Sequence, residues 1–172
     1  MTFRGFLILI PLFIGQISFG QDSHIKAKKV LEIFKSSIIQ SSKSKIEADS
    51  NPWLSNNSDS SFFKSDTVFL IQNNPNQNYA RKKSCAFIGW TFYKKNRFIQ
   101  LDIDYCNEPP TRRVTTTNDF YSMTITEEYN NTIIKTYRKD KLIDSFRVLG
   151  YKIFNDSFAN EDVSILTLLR KK

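Results

Sequence analysis

Two cysteines, Cys85 and Cys106, bracket a pair of β-branched and aromatic runs that meet at Lys94-Lys95-Asn96-Arg97, and no other feature of the chain constrains its folding more. A two-residue turn on Lys95 and Asn96 pairs each residue with the one that brings the sum of their numbers to about 191. One face of the resulting ribbon then reads Ala86 with Tyr105, Ile88 with Ile103, Trp90 with Leu101 and Phe92 with Ile99, which is unbroken apolar surface. The other places Phe87 by Asp104, Gly89 by Asp102, Thr91 by Gln100 and Cys85 across from Cys106. Facing residues of an antiparallel pair lie about 4.5–5.5 Å apart at Cα, inside the window of a disulfide, so a Cys85–Cys106 bridge is expected. It would close an intervening loop of 20 residues. For that length loop entropy contributes about 3 kcal/mol, an upper guide because the hairpin already restricts the chain. With no Cys-x-x-Cys spacing to lower a thiol pKa, the bridge is a staple and not a redox centre. Ile88, Trp90, Phe92, Leu101 and Ile103 become the candidate lining of a core or ligand cavity.

The rest of the mature chain extends this β pattern. Runs at 66–72, 85–93, 98–106, 112–117, 120–129, 132–138, 142–153 and 163–170 alternate with turn residues and have no helical stretch between them, so an antiparallel meander of about seven to eight strands is expected over 66–172. Ahead of it, within 21–48, Ala27, Val30, Leu31, Phe34 and Ile38 form the stripe of an amphipathic helix that Ser23 can cap, with Lys26, Lys28, Lys29 and Lys35 flanking the stripe. The segment 49–65 lies in a Ser- and Asn-rich stretch that carries Pro52 and reads as a loop, a partly ordered flap whose Trp53, Phe62 and Phe63 dock on the body.

Residues 1–20 begin with Arg4, continue through an apolar block from Phe6 to Ile14 and close on the small residues Ser18 and Gly20, the layout of a secretory signal peptide cut after Gly20. The apolar block is shorter than the ~20 residues of a spanning helix, and no second block is longer. A secreted, periplasmic or cell-envelope protein, not transmembrane once the signal is removed, is therefore expected. An even cysteine count in an exported chain favours the oxidised state.

Composition narrows the chemistry. The single histidine, His24, stands near the mature N-terminus, so neither an imidazole-based triad nor a His-ligated metal cage can be assembled. The five glycines are scattered, which excludes a glycine-rich phosphate loop. Asp102 and Asp104 share a strand face and could in principle act as a carboxylate pair, but their alternation with Leu101, Ile103 and Tyr105 reads as the solvent side of a half-buried strand. Glu127 and Glu128 fall on opposite faces of theirs. No enzyme activity, metal or cofactor is expected.

A net charge of +8 is concentrated in clusters that include Lys94, Lys95 and Arg97 and Arg138, Lys139 and Lys141. Most sit at strand ends and turns, where cations keep sheet edges soluble. If 112–117 is a true strand, the meander brings the 94–97 and 138–141 turns to one end, a surface suited to anionic partners such as lipid headgroups, polysaccharide or an acidic protein. Nucleic acid is not expected, because the aromatics alternate with apolar residues as core and do not form an exposed stacking platform.

A short helix followed by a meander in which Trp90 and Phe92 lie on one strand, with the chain closing on Ser164-Ile165-Leu166-Thr167-Leu168-Leu169-Arg170, resembles small secreted lipocalin-like domains over residues 66–170. That resemblance implies a mainly β fold, curled or closed as a barrel, with a cavity for a small apolar molecule. The competing architecture is a helix packed on an open curled sheet, as in cystatin-like proteins. The functional expectations are an exported, non-enzymatic binding protein for a small apolar ligand or, alternatively, a protein-interaction module acting through its basic turns.

Overall fold

The structure is a computed structural model that describes residues 24–38, 51–74, 78–107, 111–112, 116–157 and 160–172. The expected export signal at 1–20 and the outer parts of the expected helix, 21–23 and 39–48, lie outside the described residues. The elements are α1 (Ala27–Ser36), β1 (Trp53–Asn56), α2 (Ser61–Lys64), β2 (Thr67–Asn74), α3 (Asn78–Arg81), β3 (Ala86–Lys94), β4 (Arg97–Asp104), β5 (Thr111–Arg112), β6 (Phe120–Glu128), β7 (Asn131–Arg138), β8 (Lys141–Asp156) and β9 (Glu161–Arg170).

Eight strands, all paired antiparallel, close into a barrel in the order β3-β1-β2-β9-β8-β7-β6-β4, and β4 pairs back to β3. Closure removes the open sheet edges and excludes the open, cystatin-like alternative. It agrees with the barrel that the lipocalin-like resemblance implied. Bulges interrupt the ladders between Phe92 and Lys94, between Thr136 and Tyr137 and between Val148 and Gly150, each adding the local bend and twist that a closed sheet needs.

Two expectations about the strands are corrected. The stretch 49–65 is not simply a loop: Trp53–Asn56 forms a strand inserted between β2 and β3, so those two never pair. Trp53 and Phe62 dock as expected, at 1% and 2% exposure, whereas Phe63 remains 54% exposed. The expected strand at 112–117 reduces, among the described residues, to the two-residue β5 on β4, while Thr117–Asp119 is a short 3-10 turn closed by the Thr116 and Asp119 side chains.

The β3–β4 register is also corrected. Lys94 faces Arg97 as expected, but beyond the bulge Phe92 faces Phe98, Trp90 faces Gln100 and Ile88 faces Asp102. Neither Lys95 nor Asn96 has a positive φ. Their turn therefore lacks the mirror-image geometry that matches strand twist, and the bulge compensates. Leu101 and Ile103 consequently lie on the opposite face from Trp90. They join Leu54, Phe87, Ile99 and Ala80 in a second apolar layer on the outside of the wall. Gly89 makes room there, since a Cβ at that position would stand 2.7 Å from Ile103 Cδ1. Tyr105, and not Cys106, pairs with Cys85 through the backbone, yet the disulfide forms just past the strand end, with Cα atoms 5.2 Å apart.

The interior is filled by side chains from the strands and from both ends. At the end where the β3–β4 and β6–β7 turns emerge, α1 lies across the opening. It buries Val30, Ile33 and Phe34 and keeps its lysines outward. Its first turn is held from outside the helix, because Glu127 Oε1 accepts from the Ala27 amide and the Thr132 hydroxyl donates to the Ile25 carbonyl. At the other end Phe62 of α2 enters edge-on to Trp90. Arg170 closes behind it, ion-paired to Asp144 and donating to the Phe62 carbonyl, with its guanidinium over the Phe62 and Phe146 rings.

Candidate functional site

Of the five candidate lining residues, Ile88, Trp90 and Phe92 share the inner face and are 1–2% exposed. Trp90 stacks on Phe98 at 4.5 Å between centroids, and Phe92 on Phe34 at 4.6 Å. Phe34, Leu70, Phe98, Ile134, Phe146, Leu166 and Leu168 are 0% exposed, so a water-sized sphere finds no surface to touch on them. The space around these residues is occupied by side chains. Leu101 and Ile103 belong to the outer layer and do not complete a ligand-lined wall.

The six cationic candidates separate. Because β6 pairs with β4 directly, the 94–97 and 138–141 turns leave the barrel at opposite ends, which corrects the expectation of a shared end. Strand stagger nevertheless places Arg97, Ser122, Tyr137 and Leu142 along one row of neighbours. Arg97 and Lys139 come to line the same cleft, of about 230 Å3, with Phe120, Thr117, Ser122 and Asp140. Phe120 is 41% exposed and stands edge-on to Tyr93 at 5.9 Å. Among the described residues neither Arg97 nor Lys139 is in an ion pair. Arg138 lines a neighbouring cleft of about 260 Å3 with Asp102, Asp119, Gln100 and Phe63, and Tyr121 forms part of both. Burial lifts the Tyr121 phenol above its ordinary pKa, and the Arg138 guanidinium opposes that rise. Lys94, Lys95 and Lys141 are exposed and line neither cleft.

The carboxylates have structural partners. Asp104 accepts from the Cys106 amide and the Asn107 side chain, and Asp119 accepts from the Thr116 amide. Glu128 is held below its usual range by the hydrogen bond from Lys135, whose own pKa rises for the same reason. Among the described residues no group of three or more His, Cys, Asp or Glu side chains is placed to hold a metal ion, and no helix is long and apolar enough to cross a membrane.

Sequence reasoning missed a cleft in the barrel wall between β1 and β2, of about 310 Å3, lined by Ser55, Phe62, Thr67, Phe69, Ile71, Tyr79 and Lys83 among others. Its one sequence signal is Phe69, an aromatic on the solvent parity of an otherwise regular strand. Compared with protein-family models, with curated proteins and with solved structures, the chain finds no match in any of the three.

Proposed function

We infer that the protein is an exported, non-enzymatic binding module that engages an acidic partner protein through the face around Arg97, Lys139 and Phe120. The observation that carries this reading is the meeting of two cations without ion-pair partners among the described residues in one cleft, beside a half-exposed aromatic ring. Cations flanking an aromatic anchor are the composition of interface hot spots, and a basic face steers acidic partners by long-range attraction. The disulfide suits an oxidising, extracytoplasmic compartment. The expected apolar ligand inside the barrel loses support because aromatic rings occupy that space.

The test is co-purification from the extracytoplasmic fraction with the native protein and with the Arg97→Glu, Lys139→Glu double variant, followed by affinity measurement with the purified partner at low and high salt. Native capture of an acidic protein, its loss in the variant and weakening by salt are expected. A partner that binds the double variant as tightly as the native chain defeats the reading.

A further inference from the structure

β1 and β2 are joined by one residue pair, Leu54 with Ile71, whereas β2 pairs with β9 along its whole length from Thr67 to Asn74. Ser55 and Asn56 therefore continue β1 without partners in β2, and the barrel wall opens beneath the Leu54–Ile71 pair. The cleft of about 310 Å3 lies in this gap. It touches both sides of the wall: Phe62 and Val68 belong to the interior cluster, while Phe69 is 51% exposed to solvent. Its chemistry is graded. Ile71, Ile165 and Phe69 supply apolar surface, and Ser55, Ser61 and Thr67 supply hydroxyls. From α3 and the turn after it come Tyr79 and Lys83, the ammonium lying 4.5 Å from the Tyr79 ring centroid. Phe154 braces Tyr79 edge-on at 5.6 Å between centroids.

Ser55 is only 4% exposed and lines the cleft. A hydroxyl on the cleft wall can donate to a ligand oxygen, and the hydrogen bond is charge-assisted when that oxygen belongs to a carboxylate. An apolar cavity of about 150 Å3 holds benzene, so about twice that volume accommodates a chain of roughly ten carbons. We propose that this seam binds a small monoanionic amphiphile, a medium-chain carboxylate, with its chain along Phe69, Ile71 and Ile165 toward Phe62 and its carboxylate between Lys83 and the hydroxyl rim. This site is separate from the Arg97–Lys139 face and stands or falls independently of it.

The experiment uses the full disulfide-bonded chain and decanoate. The two tryptophans of the sequence, Trp53 and Trp90, are both inside the barrel, and Phe62 of the cleft meets Trp90 at 6.5 Å, so indole emission reports occupancy. Decanoate is expected to bind saturably at one per chain and more tightly than decanol. Phe69→Ser should weaken both ligands by about tenfold. Lys83→Gln should weaken decanoate by up to about fivefold and leave decanol unchanged. Tyr129→Ser, at a fully exposed turn residue, should alter neither. Amide shifts on adding decanoate to the native chain should centre on 67–71 and 83, a readout that needs no variant to fold. Absence of saturable binding, shifts centred elsewhere, or affinities untouched by both seam substitutions would overturn the assignment.

Discussion

Phe34 of α1 stacks on Phe92 of β3 with 4.6 Å between ring centroids and an interplanar angle of 23°, and the same ring stands edge-on to Trp53 at 5.8 Å. An isolated helix of ten residues is too short to persist in water, so the packing of this ring holds α1 over the barrel end. Phe34→Ala is expected to cost about 3–5 kcal/mol, at the upper end if the neighbouring rings cannot collapse into the void. Urea denaturation measures the loss, and a red shift of tryptophan emission should accompany it as water reaches Trp53. An unchanged unfolding midpoint would show that the helix does not close the barrel.

The Cys85–Cys106 bridge ties the start of β3 to the residues just after β4. The ladder between those strands already limits the chain, so the double change Cys85→Ala, Cys106→Ala should lower stability by about 1–3 kcal/mol, less than the full loop-entropy value, and leave a folded barrel. Comparing urea midpoints of the two proteins tests the magnitude. Thiol labelling of the protein taken from its native host tests the redox state, and reactive thiols at both positions would remove the argument for an oxidising compartment.

The off-register reading of β3 and β4 has a specific physical origin. Hydrophobic alternation sets a register only where one face is polar. Here Ile88, Trp90 and Phe92 fill the interior while Phe87, Gly89 and Thr91 back onto Ile99, Leu101 and Ile103 in a buried outer layer, so both faces of β3 are buried and its own pattern does not say which of them meets the apolar residues of β4. The bulge before the Lys95–Asn96 turn decides it, and those two residue types do not announce a turn class. The remaining barrel strands were legible as β-branched and aromatic runs between turn residues, and the cysteine pairing because the bridge tolerates the shift. β1 was hidden because four residues, Trp53–Asn56, are too few to show a period within a Ser-rich stretch. The meeting of Arg97 with Lys139 depends on barrel stagger, a long-range property that no local spacing carries.

Turn chemistry separates the hairpins and gives a paired prediction. Tyr129 and Asn130 have φ of 49° and 61°, and Lys139 and Asp140 have 48° and 63°, the left-handed pair of a mirror-image turn for which Asn-Gly is preferred. Tyr129 is 99% exposed and contributes no packing. Tyr129→Asn with Asn130→Gly should therefore raise stability by about 0.5–1 kcal/mol in thermal unfolding. The same Asn-Gly pair placed at Lys95 and Asn96 should destabilise, because that turn uses negative φ and the bulge is built around it. Equal stabilisation at both sites would contradict the bulged register.

Tyr121 provides a pH-dependent test of the barrel mouth. Its residue is 8% exposed and its ring stacks on Phe98 at 5.3 Å between centroids, and burial raises the phenol pKa despite the opposing Arg138. In the unfolded chain the phenol ionises near its ordinary value of 10.0, while the folded chain still holds the proton. The folded state then binds more protons above that pH, so the contribution of Tyr121 is complete below it and declines as pH rises toward the folded pKa. Tyr121→Phe removes the ionisation, and the variant should lose less stability than the native protein between about pH 9 and about pH 11. At neutral pH, where the phenol is protonated in both states, the variant should differ from the native protein by no more than about 0.5–1.5 kcal/mol, the worth of one polar contact. Parallel urea titrations at the two pH values measure the difference, and identical alkaline losses in the two proteins would place the Tyr121 hydroxyl in water and not in the mouth of the barrel.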